Sequence, residues 1–245
     1  PVTVAGMSVD RQCASGMMAI AVAAKQVLHD GIDIAVGGGV ESVSLVQTDK
    51  MNLSRAADPW INAQKPALYM SMLETAETVA NRYGISREAQ DDYALQSQQR
   101  TAAAQAAGKL DDEIVPMTTV MKVMDRDTKQ ISDYEVTLSK DEGNRPSTSL
   151  EGLSSLQPVH KNGQVIAEGS FITAGNASQL SDGASASVVM EARQAERRGL
   201  QPLGRYVGMV AAGCEPDEMG IGPVFAVPKL LALNGLRMDD IGLWE

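Results

Sequence analysis

The chain has 245 residues, 44% of them hydrophobic and 21% charged, enough for one large domain or two smaller ones around a substantial core. Its formal net charge of -10 argues against a general nucleic-acid binder, and two cysteines with two histidines make neither a disulfide framework nor a metal-ligand spacing. No apolar stretch approaches membrane-spanning length and no signal-peptide pattern opens the chain; with only two cysteines, a reducing compartment is expected, cytoplasmic or an organelle whose targeting peptide is missing.

In chain order, Val2-Thr3-Val4 and the run from Met7 to Val9 predict a first strand. A helical period then begins at Met17 and continues through Ile20, Ala24 and Val27 to a C-cap at Asp30-Gly31. Cys13 therefore falls where an extended segment turns into a helix. Unpaired N–H groups and the positive end of the helix dipole favour a thiolate there, and Ala14, Ser15 and Gly16 let a ligand approach the backbone. Position alone leaves a second reading open, in which Cys13 is a small buried hydrophobe. Ile32 to Val36 predicts a short strand broken by Gly37-Gly38-Gly39, read as tight backbone packing and not as a dinucleotide fingerprint. Strand, helix and strand in this order suggest parallel α/β architecture.

Residues 44–64 lack a period and predict a loop. Helices follow over Met72–Tyr83, closed by Gly84, and from an N-cap at Ser86 to about Ala107, closed by Gly108. The polar stretch 109–144 holds short strands at Ile114 to Met117 and Thr119 to Met121. A short helix is expected over residues 150–156, and Asn162-Gly163 signals a hairpin turn. Residues 171–183 combine small side chains, an amide and hydroxyls, which suits either a ligand-approaching bend or an ordinary turn. A strand over 184–190, a helix ending at Arg198-Gly199, a strand over 203–212 and a helix over 224–233 complete the pattern. Pro1 at the start, and the strand-like close at Ile241-Gly242-Leu243-Trp244-Glu245, lead us to expect an incomplete sequence.

Several segments together resemble one family, the thiolases (acetyl-CoA acetyltransferases and 3-ketoacyl-CoA thiolases). They are Asp10-Arg11-Gln12-Cys13-Ala14-Ser15-Gly16, Ala35-Val36-Gly37-Gly38-Gly39-Val40-Glu41-Ser42, Thr75-Ala76-Glu77-Thr78-Val79-Ala80, Gln90-Asp91 with Ser97-Gln98, and Asp112-Glu113-Ile114-Val115-Pro116. Thr173-Ala174-Gly175-Asn176-Ala177-Ser178, Ser181-Asp182-Gly183-Ala184 and Met219-Gly220-Ile221-Gly222-Pro223 complete the set, in family order over nearly the whole chain.

The resemblance implies a thiolase-like fold of layered α/β halves with an inserted loop domain. Residues 1–43 and 171–198 would form the N-terminal α/β domain, nearly complete. Residues 44–170 would form the inserted CoA-binding loop domain, and residues 199–245 the start of a truncated C-terminal domain. By the same resemblance Cys13 is the acyl-accepting nucleophile, its own N–H helps hold the thioester oxyanion, and Met72, Arg145, Ala174 and Ser178 contact CoA. CoA is a substrate; no metal or redox cofactor is implied, and a homodimer or homotetramer is expected. The family's His, second Cys and oxyanion Asn belong to motifs that follow Glu245, and neither His29, His160 nor Cys214 replaces them.

Ser71 stands where short-chain biosynthetic members often carry a histidine, Gly152 where a serine often contacts CoA, and His160 where an aromatic lies near adenine. With the long segment 161–170, these departures point toward a broader or degradative enzyme of fatty acid metabolism, as in beta-oxidation. Two alternatives remain beside a thiolase. One is a related ketoacyl synthase; the other is a non-catalytic acyl-CoA-binding or scaffold protein, should the chain end at Glu245.

Overall fold

A computed structural model describes residues 1–245, which divide into two compact units. The first comprises residues 1–69 and 180–245, and the second residues 70–179.

The first unit is built on helix α1 (Ser15–His29) and strand β1 (Ile34–Glu41). Strand β1 pairs antiparallel with a strand far along the chain, Gly183–Met190, in the register Ile34 to Met190 through Glu41 to Gly183. The buried residues of α1 are Ala21, Ala23 and Ala24, whereas Met17 and Leu28, placed by periodicity on the same apolar face, are exposed. Small residues dominate the contact because the helix lies directly on the sheet backbone. A Cβ at Gly37 would stand 2.7 Å from Ile20 Cα, and one at Gly39 3.3 Å from Gly16 Cα. The three glycines thus continue the strand instead of breaking it, and they do so at the place where α1 packs closest. The opposite sheet face leaves Val36, Val40 and Val188 exposed. Short helices α2 (Val43–Val46) and α3 (Pro59–Gln64) punctuate the expected loop over 44–64. Asp58 caps α3 by accepting the N–H groups of Trp60 and Ile61 at 2.8 and 3.0 Å.

In the second unit the local signals fare well. Helix α4 (Met72–Tyr83) starts on Ser71, whose hydroxyl accepts the Glu74 N–H at 3.2 Å, and ends on Gly84 at φ +64°. Helix α5 (Arg87–Ala106) is capped by Ser86 through the Ala89 N–H, also at 3.2 Å. Strands β2 (Met117–Met124) and β3 (Ile131–Leu138) form an antiparallel ribbon, so the two short strands expected near 114–121 are one longer strand. Helix α6 (Leu150–Ser154) begins on Ser149. Back in the first unit come β4 (Gly183–Met190), α7 (Ala192–Arg197) and α8 (Gly222–Asn234), the last closed by Gly235.

Four expectations need correction. Residues 2–9 and 203–212 are not strands, and residues 241–245 do not begin one. Their β-branched and apolar residues carry strand propensity, but propensity becomes a strand only where a neighbour takes up the backbone N–H and C=O groups. The sheets consist of β1 with β4 and β2 with β3 alone. Both pairs are antiparallel, so the parallel pairing suggested by strand–helix–strand order is not what β1 makes. The hairpin signalled by Asn162-Gly163 does form, with a wider loop: Lys161 bridges antiparallel to Glu168 across six residues, and Asn162 takes the left-handed conformation at φ +58°. No helix is long and apolar enough to cross a membrane.

Candidate active site and coenzyme-binding turn

Cys13 is exposed, which removes the buried-hydrophobe reading of its role. It sits one residue ahead of Ala14, the N-cap of α1, and no side chain caps that helix start. The residue before it, Gln12, has φ +48°, a left-handed conformation that costs a non-glycine residue roughly 1 kcal/mol or more. Local bonds hold it there. The Ser15 hydroxyl accepts the Arg11 N–H and donates to the Gln12 carbonyl, both at 2.7 Å, and Asp10 Oδ1 accepts the Gln12 N–H at 2.9 Å. The motif around Cys13 is therefore a braced turn that presents the thiol at the positive end of a four-turn helix.

Two other family-like segments of this unit meet at the end of β1 and β4. Glu41 pairs with Gly183, and Asp182 accepts the Ser44 N–H at 3.0 Å together with the hydroxyls of Ser42 and Ser44. The Ser44 hydroxyl and N–H, assisted by Ser42, hold the Asp182 carboxyl below its ordinary range.

Neither histidine of the chain serves as a base for Cys13. His29 ends α1, so it lies about 21 Å from the helix start at 1.5 Å per residue. His160 is buried, 3% exposed, with its Nε2 2.8 Å from the Ile166 carbonyl. The same burial corrects its alignment with an adenine-facing aromatic, because a ring enclosed by its own loop presents no face for stacking. Cys214 is half-buried, with Sγ 3.8 Å from the Glu218 carbonyl.

The four CoA candidates all belong to the second unit. Met72 opens α4 and is exposed. Arg145 has an exposed side chain, while its N–H donates to Gln98 Oε1 at 2.8 Å and its carbonyl accepts from Thr148. Ala174 and Ser178 are brought together on one turn, both exposed, with Thr173 fully buried just ahead of them and Asn176 half-buried between them. Asn176 ties the turn: its Oδ1 accepts the Thr173 N–H at 2.8 Å, and its Nδ2 donates to the Phe171 carbonyl and to Asp91 Oδ1, each at 3.0 Å.

Periodicity gave no hint of the buried carboxylates under this turn and under the neighbouring loop. Glu74 and Glu77 lie on α4 and Asp91 on α5, all 1% exposed. Glu77 accepts the N–H groups of Ser170, Phe171 and Ile172 at 2.7–3.1 Å. Glu74 accepts those of Gln164, Val165 and Ile166 at 2.6–2.9 Å. A charged residue at i, i+3 spacing ordinarily reads as solvated helix face. The available signal was that Glu77 and Asp91 fall inside the family-like segments. Ser71 acquires a purely local role here as the α4 cap.

Burial alone would raise the Glu74 pKa, but the N–H donors of Ile166, Val165 and Gln164 and the field of His160 outweigh it and hold the carboxyl below its ordinary 4.5. A lowered folded pKa stabilises the fold fully above about pH 4.5, and that contribution is lost as pH falls through the folded value. Glu74→Gln should therefore cost about 2 kcal/mol at neutral pH and flatten the loss of stability on acidification. Urea denaturation of wild type and variant between pH 7 and pH 3 measures both; parallel pH profiles would refute it.

Residues 1–193 match the family described as thiolase, N-terminal domain, and residues 200–245 match thiolase, C-terminal domain. The chain is 41% identical over 249 residues to a 3-ketoacyl-CoA thiolase of Bacillus subtilis (strain 168), an alignment covering 100% of this chain and 60% of that protein. Among solved structures, the dimeric peroxisomal thiolase of Saccharomyces cerevisiae superposes with a TM-score of 0.76 at 32% identity, covering 97% of this chain and 56% of that one. The human mitochondrial 3-ketoacyl-CoA thiolase in complex with CoA gives 0.74 at 34% identity, covering 96% and 57%. The chain thus spans little more than half the length of the relatives it matches.

Proposed function

The chain belongs to the thiolase family, and from that premise we propose that its protein cleaves 3-ketoacyl-CoA thiolytically, with Cys13 as the nucleophile. The Cys13 thiolate adds to the C3 carbonyl. The bond between C2 and C3 then breaks, acetyl-CoA leaves as an enolate that takes up a proton, and a shortened acyl group remains as a thioester on Sγ. The thiol of a second CoA, losing its proton, displaces that acyl group and regenerates the cysteine. Run backward, the same steps condense two acetyl-CoA molecules. Splitting the carbon–carbon cleavage into two thioester steps lowers each barrier.

The observation that carries this reading is the exposed Cys13 on a braced, left-handed turn at an uncapped helix start. The Ala14 and Ser15 N–H groups donate to the Arg11 and Gln12 carbonyls, so the Gly16 and Met17 N–H groups of the first turn would be the ones to stabilise developing negative charge beside the sulfur. The proton donors are residues other than His29 and His160, whose placements are given above. CoA would lie on the Ala174–Ser178 turn with Met72 and Arg145, the arginine meeting phosphate or adenine. The human relative crystallised with CoA supports that ligand, and the dimeric yeast relative supports a homo-oligomer. A degradative direction accords with the 3-ketoacyl-CoA thiolase to which the chain is similar. CoA is consumed as a substrate, and the chemistry requires no metal or redox cofactor.

Mass spectrometry of the full-length protein mixed with a 3-ketoacyl-CoA tests the reading. The proteolytic peptide containing Cys13 should gain the mass of the shortened acyl group and lose it on addition of CoA. An unmodified Cys13 under turnover conditions would refute covalent catalysis at this residue.

A further inference from the structure

The turn assigned to CoA does not hold its shape by local bonds alone. Arg87 Nε donates to Asp91 Oδ2 at 2.8 Å, while its Nη2 donates to the carbonyls of Leu153 and Leu156 at 2.7 and 3.1 Å. The second oxygen of Asp91 takes the Asn176 amide, which in turn fixes Thr173 and Phe171. Arg87, Asp91 and Asn176 thus form one continuous chain from the end of α6, across α5, to the turn. From beneath, Glu77 takes the three N–H groups that lead into the turn. The outer side is equally tight: a Cβ at Gly175 would meet Leu153 Cδ2 at 2.5 Å and Leu156 Cδ1 at 2.6 Å. Every one of these groups lies within the second unit.

Ala174 and Ser178 themselves are exposed and make no comparable anchoring. Their placement follows from Asn176, half-buried, and Asp91, buried beneath the turn. We propose that Asp91 and Asn176 are positioning residues for the coenzyme, acting through the turn to set the geometry that Ala174 and Ser178 present to the pantetheine arm. This rests on the CoA reading above. A preorganised turn spends no binding energy on ordering, so loosening it weakens binding of the thioester without altering the sulfur chemistry at Cys13.

The test uses the full-length protein and three variants. Asn176→Ala, and Asp91→Asn as a milder change, should raise the KM for CoA in thiolysis about tenfold with kcat within about twofold. Acetylation of Cys13 by p-nitrophenyl acetate, a donor without CoA, should run at the wild-type rate in both. Glu74→Gln, which loosens the neighbouring loop over 164–166, should lose stability yet keep the wild-type KM. A general structural effect would instead move all three alike, and an unchanged KM in Asn176→Ala and Asp91→Asn would overturn the proposal. Should neither of these two variants fold, amide hydrogen exchange on wild type decides. Protection of the Phe171, Ile172 and Thr173 amides before CoA is added supports preorganisation, and protection only after addition overturns it. Failure of wild type to bind CoA at all would count against the CoA reading itself, and is seen before any variant is made.

Discussion

Replacing Cys13 with alanine is expected to abolish thiolysis, lowering kcat by at least about a thousand-fold in the full-length protein. Neither Cys214 nor Ser15 replaces the sulfur: Cys214 is half-buried against the Glu218 carbonyl, and Ser15 spends its hydroxyl on Arg11 and Gln12. Because Cys13 is exposed, Cys13→Ala should change stability by less than about 0.5 kcal/mol, so loss of activity would report chemistry and not unfolding. Cys13→Ser should be nearly as inactive, since the thiolate is the working nucleophile and an alcohol ionises far less readily than a thiol. Acetoacetyl-CoA cleavage followed by loss of the thioester, with denaturant curves alongside, makes the measurement. Retention of wild-type turnover by Cys13→Ala would remove Cys13 from the mechanism.

Gly37→Val is expected to destabilise the protein by about 3 kcal/mol or more and to impair acylation of Cys13. The first added carbon would stand 2.7 Å from Ile20 Cα, 2.8 Å from Ile20 N and 2.9 Å from the Ala19 carbonyl carbon. Carbon atoms pack at about 3.5–4.0 Å, and all three obstacles are backbone, which cannot rotate out of the way. Relief requires α1 to lift from the sheet, and α1 is the helix whose start carries Cys13. Urea midpoints and the yield of acyl adduct on Cys13 should fall together. A wild-type midpoint would show that the helix does not lie as closely on β1 as the structure has it.

Both expected effects depend on distinct kinds of information. The helices α4 and α5 were legible to within a residue because their stop and start signals are local: Ser71 and Ser86 accept first-turn N–H groups, and Gly84 takes up the left-handed conformation. Strands were read less well. Val2-Thr3-Val4 and residues 203–212 have strand composition without a strand partner, whereas Gly37-Gly38-Gly39 has the composition of a break and lies within a paired strand. A ladder is made by two segments, here 34–41 and 183–190, and neither segment states the other's position.

For the site, the sequence by itself determined the family-like motif order and the position of Cys13 at a helix start, because both are properties of contiguous residues. Tertiary structure alone decided that Cys13 is exposed, that Ala174 and Ser178 face outward from one turn, and that Glu74, Glu77 and Asp91 are buried beneath neighbouring segments. The physical reason is that a carboxylate goes inside only when enough donors meet it there. Its donors in this protein are backbone N–H groups some 90 residues away for Glu74 and Glu77, and for Asp91 the Asn176 amide together with the guanidinium of Arg87 one turn back on α5. Backbone donors carry no side-chain signature, so their convergence on α4 exists only in the folded chain.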